Sequence, residues 1–314
     1  MVNLVNCMNA RPDPDCDPNG GVDKSLVRRA FDRAAASYDA HAVLQREVAD
    51  RMLARLDYIK HQPLLVLDAG AGTGYGTRGL RSRYPQAAIV ALDLAESMLK
   101  LVRPERSFWQ KMQRNAPLHA LCGDIDCLPL KTSSVDMIWS SLALQWCNDL
   151  NVSFAELYRV LAPGGLLMFA TFGPDTLKEL RNAFAQVDDY SHVNQFVDMH
   201  DIGDVLMSVG FNAPVMDMEY ITLTYADLMT LLRELKAIGA HNVTAGRNPG
   251  LTGRARWRAL ESAFEQFRDA GRLPATYEVI YGHAWVNQKN QRSDGYQIIP
   301  MNSLGSFNKR QTET

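Results

Sequence analysis

No apolar run in this chain approaches the ~20 residues that a helix needs to cross a bilayer, so no membrane partner is expected. An excess of one charge is also lacking. Its 33 Lys and Arg stand against 35 Asp and Glu, and a net charge of −2 argues against wholesale nucleic-acid binding. Cysteine is sparse: Cys7, Cys16, Cys122, Cys127 and Cys147 form no CxxC pair, and no histidine cluster has zinc spacing. No metal site is therefore expected, and an odd thiol count without a framework favours a reduced, cytoplasmic setting. The opening stretch MVNLVNCMNARPDPDCDPNGG lacks the charged start and apolar core of a secretion signal. Its proline, aspartate and asparagine content reads as a disordered leader over residues 1–22. No internal repeat is found. What is present is an ordinary globular composition, 46% hydrophobic and 22% charged, enough for one large domain or two modest ones.

The stretch Leu64 to Gly74, LLVLDAGAGTG, organises the rest. Its apolar run ends on Asp68 and is too short for a buried helix, so it reads as a central parallel strand. Gly70, Gly72 and Gly74 then make a G-x-G-x-G turn into a helix from about Tyr75. Glycine there tolerates positive φ and lets backbone N–H groups approach a ligand closely.

Along the chain, Asp23 is a plausible cap for a first helix whose apolar face holds Leu26, Ala30 and Phe31, and a second helix spans Val43 to Leu56. Ala88 to Leu92 is a second buried strand, closed by Asp93 about 20 residues after the glycine turn, a spacing that suits a carboxylate on a ribose diol. A basic segment with interleaved aromatics, RPERSFWQKMQR, follows the next helix. Pro117 to Cys122 ends at Gly123–Asp124, and Val135 to Leu142 is a fourth strand. After a helix at Val152 to Leu161 and a Pro163–Gly164–Gly165 turn, LLMFATF makes a fifth. Helices at Asp175 to Phe184 and Asp198 to Val209 precede a strand over Pro214 to Thr224. Helices at Tyr225 to Gly239 and Arg254 to Asp269 precede Pro274 to Val286, which alternates like a final antiparallel edge strand.

This alternation implies an α/β fold: a doubly wound, seven-stranded, mostly parallel sheet with a ligand site outside the strands' carboxyl ends. One domain is expected over 23–286, with an N-terminal helical lid (23–60), a helical insertion before the last strand (225–272) and a flexible tail (287–314). A dinucleotide dehydrogenase would also have a glycine turn and an acidic second strand. Here the turn is G-x-G-x-G rather than G-x-G-x-x-G, and Asp124 adds a further recognition residue. Asp68 would attract a positive charge, as an ammonium or sulfonium supplies. D-x-G-x-G-x-G, an acidic strand end and GD-x-x-x-LP together resemble the ligand pattern of class I methyltransferases that use S-adenosylmethionine.

Further segments narrow the resemblance. RRAFDRAAASYDAHAVLQREVADRM, SSLALQWCNDL, FATFGPDTLKELRNAF, LRELKAIGAHN, GRNPGLTG and LPATYEVIYGHAW are similar to the malonyl-carrier-protein O-methyltransferases of biotin synthesis, the BioC family. The likeness runs from about Ser25 to Val286. It implies methylation of the free carboxylate of a malonyl thioester, on acyl-carrier protein or coenzyme A, to give the ester from which a pimeloyl chain is built. It also implies roles for particular residues. Asp68 orients the turn and methionine moiety, Asp93 takes the ribose hydroxyls, Asp124 the adenine amino group, and Ile125 packs on the ring, with Leu94 and Met98 nearby. Ser140 to Gln145 border the methyl, Gln145 and Trp146 the acyl channel, and Tyr38 sits in the lid beside the cofactor. Arg181, Arg233 and Lys236 are candidates for the substrate carboxylate, and Arg247, Arg254, Arg256 and Arg258 for docking an acidic carrier. Rival readings are a methyltransferase for another small acid or a quinone, a respiratory-complex assembly factor of the same fold, and a cofactor-binding protein without turnover. A leader carrying Asp13, Asp15 and Asp17 counts against the mitochondrial presequence an assembly factor would have.

Overall fold

The computed structural model describes residues 22–102, 116–240 and 253–287. The leader, the tail after residue 287, the basic segment RPERSFWQKMQR and Arg247 lie outside the described residues.

Two helices open the chain, α1 (Lys24–His41) and α2 (Val43–Arg55). Asp23 caps α1 by accepting from the N–H groups of Ser25 and Leu26. Then come β1 (Leu65–Ala69), α3 (Tyr75–Arg83), β2 (Ala88–Asp93), α4 (Glu96–Val102), β3 (Leu118–Cys122), β4 (Val135–Ser141), α5 (Leu150–Val160) and β5 (Leu161–Phe172). The rest is α6 (Lys178–Ala185), α7 (Met199–Val209), β6 (Asn212–Tyr225), α8 (Leu228–Ala237), α9 (Arg254–Glu265) and β7 (Leu273–Trp285).

Among the described residues the strands form one seven-stranded sheet in the order β3-β2-β1-β4-β5-β7-β6. The first five are parallel, and β7 is antiparallel to both neighbours. Helices cover both faces, so β1 and β4 are buried almost throughout, as their unbroken apolar runs require. Trp139, Phe154 and Phe169 fill the layers beside them; each such side chain contributes ~1.5–3 kcal/mol when fully buried.

Three expectations need correction. Pro274 to Val286 alternates like an edge strand, but β7 is interior, because it pairs with β5 on one side and β6 on the other. The edge on that side is β6, whose alternating exposure, Pro214 and exposed Asp217 are what a strand paired on one side only tolerates. Second, Pro163–Gly164–Gly165 does not precede β5 but interrupts it. Between the pairs Val135↔Leu161 and Met137↔Leu166 β5 gains extra residues, and Gly164 and Gly165 still bond Val286, just past the end of β7. Third, the helix expected from Asp175 begins only at Lys178. The preceding loop is held to β7 instead: Glu278 accepts from the Asp175 N–H at 2.7 Å, and Leu177 N donates to Thr276 O at 2.6 Å.

Candidate active site

The glycine turn leaves β1 beneath α1. Gly70 has φ +87, and a Cβ there would lie 2.2 Å from that of Ala143, so only glycine fits. The N–H groups of Gly70, Ala71, Gly72 and Gly74 are spent within the protein, contrary to expectation. Gly70 and Ala71 donate to Leu92 O, Gly72 to Asp93 Oδ2 and Gly74 to Ala71 O. The glycines therefore make room rather than cradle a phosphate, and Gly74 sits behind the turn as the left-handed N-cap of α3, against Val102.

Asp68 is 2% exposed and accepts from Thr77 Oγ1, which ties β1 to α3. Burial pushes its carboxyl up to about 7, against the pull of that hydrogen bond. Asp93 accepts from Gly72 N and Ala95 N at 2.8 Å each; burial raises its carboxyl too. Asp124 forms an ion pair with Lys24, which also reaches Asp126. Two more contacts fix α1 over this edge, Asp32 accepting from Ser97 N and Thr73 Oγ1 donating to Asp39, and Ser37 Oγ, donating to Ala237 O, ties α1 to α8.

Among the described residues, three adjoining cavities follow this edge. One of about 100 Å³ gathers Tyr38, Gly70, Gly72, Asp93, Leu94, Met98, Asp124 and Ile125. A second, of about 50 Å³, is lined by Asp68, Gly70, Gly72, Thr73, Gln45 and Arg46, again with Tyr38. The third, about 310 Å³, is mostly apolar and runs under α6 and α8, lined by Phe172, Leu180, Phe184, Leu232 and Leu235 among others. Four side chains, Phe31, Tyr38, Leu142 and Trp146, belong to both the first and the third. Phe31 and Trp146 meet edge to face with ring centroids 5.4 Å apart. Burial, Asp93 and Asp39 hold the Tyr38 hydroxyl well above its usual range, so it keeps its proton.

Not every expected residue reaches these cavities. Ser140 is fully buried and its hydroxyl donates to Ala69 O at 2.9 Å; one residue on, Ser141 faces the cavity instead. Arg181 donates to the carbonyls of Pro174 (2.7 Å) and Thr176 (2.9 Å), so its guanidinium fastens a loop rather than lining the site. Arg233 is exposed outside the cavity, whereas Lys236 lines it. Arg254 and Arg258 are exposed on α9, and Arg256 stands 3.6 Å from Asp188. Gln145 lines the large cavity and donates to Leu142 O at 2.7 Å.

Sequence reasoning missed Gln45, His192 and Asn194, all of which line the large cavity. His192 stacks on Phe184 (3.7 Å, 8°) and bonds Asp188 at 2.7 Å. Gln45 lies among apolar positions of an amphipathic helix, and the loop of His192 and Asn194 has no periodicity to reveal its facing. Two cavity residues, Leu142 and Leu177, hold φ of 51 and 55, a conformation that costs ~1–2 kcal/mol and is fixed here by the strands around it.

A methyltransferase-domain family model matches residues 67–169. Among solved structures, a Bacillus halodurans C-125 protein proposed to be a methyltransferase has a TM-score of 0.54 at 19% identity, covering 75% of this chain and 99% of that one. The YcgJ protein of Bacillus subtilis has a TM-score of 0.53 at 15% identity, over 76% and 99%. These show the fold. Closer relatives are named malonyl-[acyl-carrier protein] O-methyltransferase. That of Gallionella capsiferriformans is 56% identical over 88% of this chain and 96% of its own. That of Laribacter hongkongensis is 56% identical over 88% and 95%, and that of Legionella pneumophila 38% identical over 88% and 96%. With identity this high along nearly the whole length of these relatives, the chain belongs to the malonyl-[acyl-carrier protein] O-methyltransferase family.

Proposed function

We propose that the protein transfers the methyl group of S-adenosylmethionine to the free carboxylate of malonyl-acyl-carrier protein, giving the methyl ester that primes pimeloyl and so biotin synthesis. The observation that carries this reading is the wall of Phe31, Tyr38, Leu142 and Trp146, shared by the acidic cavity at the strand ends and the apolar one under α6 and α8.

The residues present fit the cofactor. Asp93 keeps lone pairs for a ribose diol after accepting two N–H groups, and buried Ile125 offers an apolar face to a purine. No N–H of Gly70, Ala71, Gly72 or Gly74 is left over for a pyrophosphate, which favours an adenosine without one. A buried Asp68 at about 7 gains from a nearby cation, which an ammonium or sulfonium supplies. When bound, S-adenosylmethionine supplies a methyl group made electrophilic by its sulfonium.

The protein need not remove a proton. A malonyl carboxylate is ionised near neutral pH, because carboxyl pKa values lie near 4. What remains is to hold that carboxylate in line and dry. Tyr38, protonated and on the shared wall, donates a hydrogen bond there without neutralising the nucleophile. Lys236, exposed where it lines the large cavity, supports an anionic arm entering from that side. The exposed Arg254 and Arg258 support docking of an acidic carrier. No described helix is long and apolar enough to cross a membrane, and Cys122, Cys127 and Cys147 are all thiols, which supports a cytoplasmic setting.

The test is incubation with S-adenosylmethionine and malonyl-acyl-carrier protein, with methyl ester detected by mass spectrometry. No ester from a protein that binds the cofactor would overturn the reading.

A further inference from the structure

The large cavity has more polar capacity than a malonyl group can use. Three side-chain amides line it, Gln45, Gln145 and Asn194, and each has its carbonyl oxygen buried without a hydrogen-bond partner. An orphaned buried acceptor costs ~1–3 kcal/mol, and native interiors rarely leave one unexplained. Three in one cavity point to a ligand carrying donors.

The three are not equivalent. Gln45 also lines the cavity beside Asp68, and Gln145 directly precedes Trp146 of the shared wall, so both stand at the cofactor end. Asn194 lines neither cofactor cavity. It is 9% exposed, on a segment braced by the stack of His192 on Phe184 and the bond from His192 to Asp188. Aromatic rings, among them Phe172 and Phe196, surround this part of the cavity.

A malonyl group is three carbons long and is engaged at the cofactor end. Whatever extends past it to Asn194 belongs to the arm that bears the thioester. A pantetheine-type arm alternates methylenes with secondary amides, so it presents N–H donors at intervals along an apolar chain. An apolar cavity with isolated acceptors matches that alternation.

We propose that Asn194 is the acceptor for the second amide of the pantetheine arm, counted from the thioester, so that the enzyme reads the arm as well as the acyl group. The proposal rests on the malonyl-thioester reading above. The first amide, nearer the sulfur, falls at the cofactor end with Gln145.

The experiment compares methyl-ester formation from two small donors, malonyl-N-acetylcysteamine, which has the first amide only, and malonyl-pantetheine, which has both. The wild type should show the higher kcat/KM on malonyl-pantetheine. Asn194→Leu, close in volume but without the acceptor, should lose ~10-fold on malonyl-pantetheine and less than ~2-fold on the shorter donor, the size of one buried hydrogen bond. Cofactor binding by calorimetry shows that the variant is folded, and Asn194→Ala takes its place if it is not. Asn194→Asp keeps acceptor oxygens and should retain a preference for the longer arm. Equal losses on both donors, or none on either, would overturn the assignment. So would a wild type that gains nothing from the second amide. A wild type that makes no ester from any malonyl donor, carrier included, would overturn the function itself.

Discussion

At the carboxyl ends of β1, β2 and β3 stand Asp68, Asp93 and Asp124, each anchored by a hydrogen bond or ion pair before any ligand arrives. Across the wall of Phe31, Tyr38, Leu142 and Trp146, the other cavity is built of apolar side chains from several helices and loops, with three amide oxygens left without a hydrogen-bond partner. The first site is made by strand ends and braced by hydrogen bonds and an ion pair; the second is assembled by packing. A preorganised polar edge fixes one ligand tightly. An apolar cavity fits its ligand by shape, and single contacts there matter less than volume.

Breaking the first site should have the largest effect. Asp93→Ala removes the acceptor that holds Gly72 and Ala95 together with the expected ribose partner. Cofactor Kd should rise ~100-fold or more, the equivalent of two hydrogen bonds to a charged group. Calorimetry checks it, and a loss no greater than that of Arg181→Ala would erase the distinction between the sites. Next in size is Leu235→Trp, which fills the large cavity. It should raise KM for the malonyl thioester ~10-fold by overpacking while leaving cofactor Kd within ~2-fold; steady-state kinetics at saturating cofactor separate the two.

A smaller effect lies in the pH dependence of Asp68. Burial pushes its carboxyl in the folded protein up to about 7, well above the usual carboxylate range. The folded protein therefore holds this proton more tightly than the unfolded chain, and the associated stability is lost as pH rises from about 4 through about 7. Asp68→Asn should accordingly gain in melting temperature relative to wild type at pH 8 compared with pH 5. Cofactor affinity should run the other way, rising in wild type as Asp68 ionises and staying flat in Asp68→Asn; equal slopes in both proteins would remove Asp68 from cofactor binding. Least of all, Arg181→Ala should lower the melting temperature by ~2–4 °C through loss of its bonds to Pro174 and Thr176. Its cofactor Kd should not change, and a changed Kd would put Arg181 back in the site.

The two regions also differ in how far they could be read from sequence. Asp68, the three glycines and Asp93 belong to one strand–turn–helix–strand unit, so local pattern sufficed to place them on one edge. Ser140 shows the limit of that reading. Strand side chains alternate, and a shift of one residue separates a hydroxyl spent in the core from one facing a ligand. Arg181 failed for a different reason, since only the loop's detour to Glu278 turns two carbonyls toward it. For the large cavity no local signal exists. Leu228 and Leu231 pack in the core while Leu232 and Leu235 of the same helix face the cavity, yet all four form one apolar stripe in the sequence. β7 misled in a similar way, because alternation cannot tell an edge strand from one sandwiched between β5 and β6.

The shared wall makes the two ligands thermodynamically interdependent. Phe31 and Tyr38 reach it from α1, Leu142 and Trp146 from the connection after β4, and each ligand must settle the same four side chains. A ligand that shifts any of them therefore reshapes the cavity of the other. Linkage then requires that the cofactor raise affinity for the malonyl donor by the same factor by which the donor raises affinity for the cofactor. Phe31→Ala should shrink both factors together.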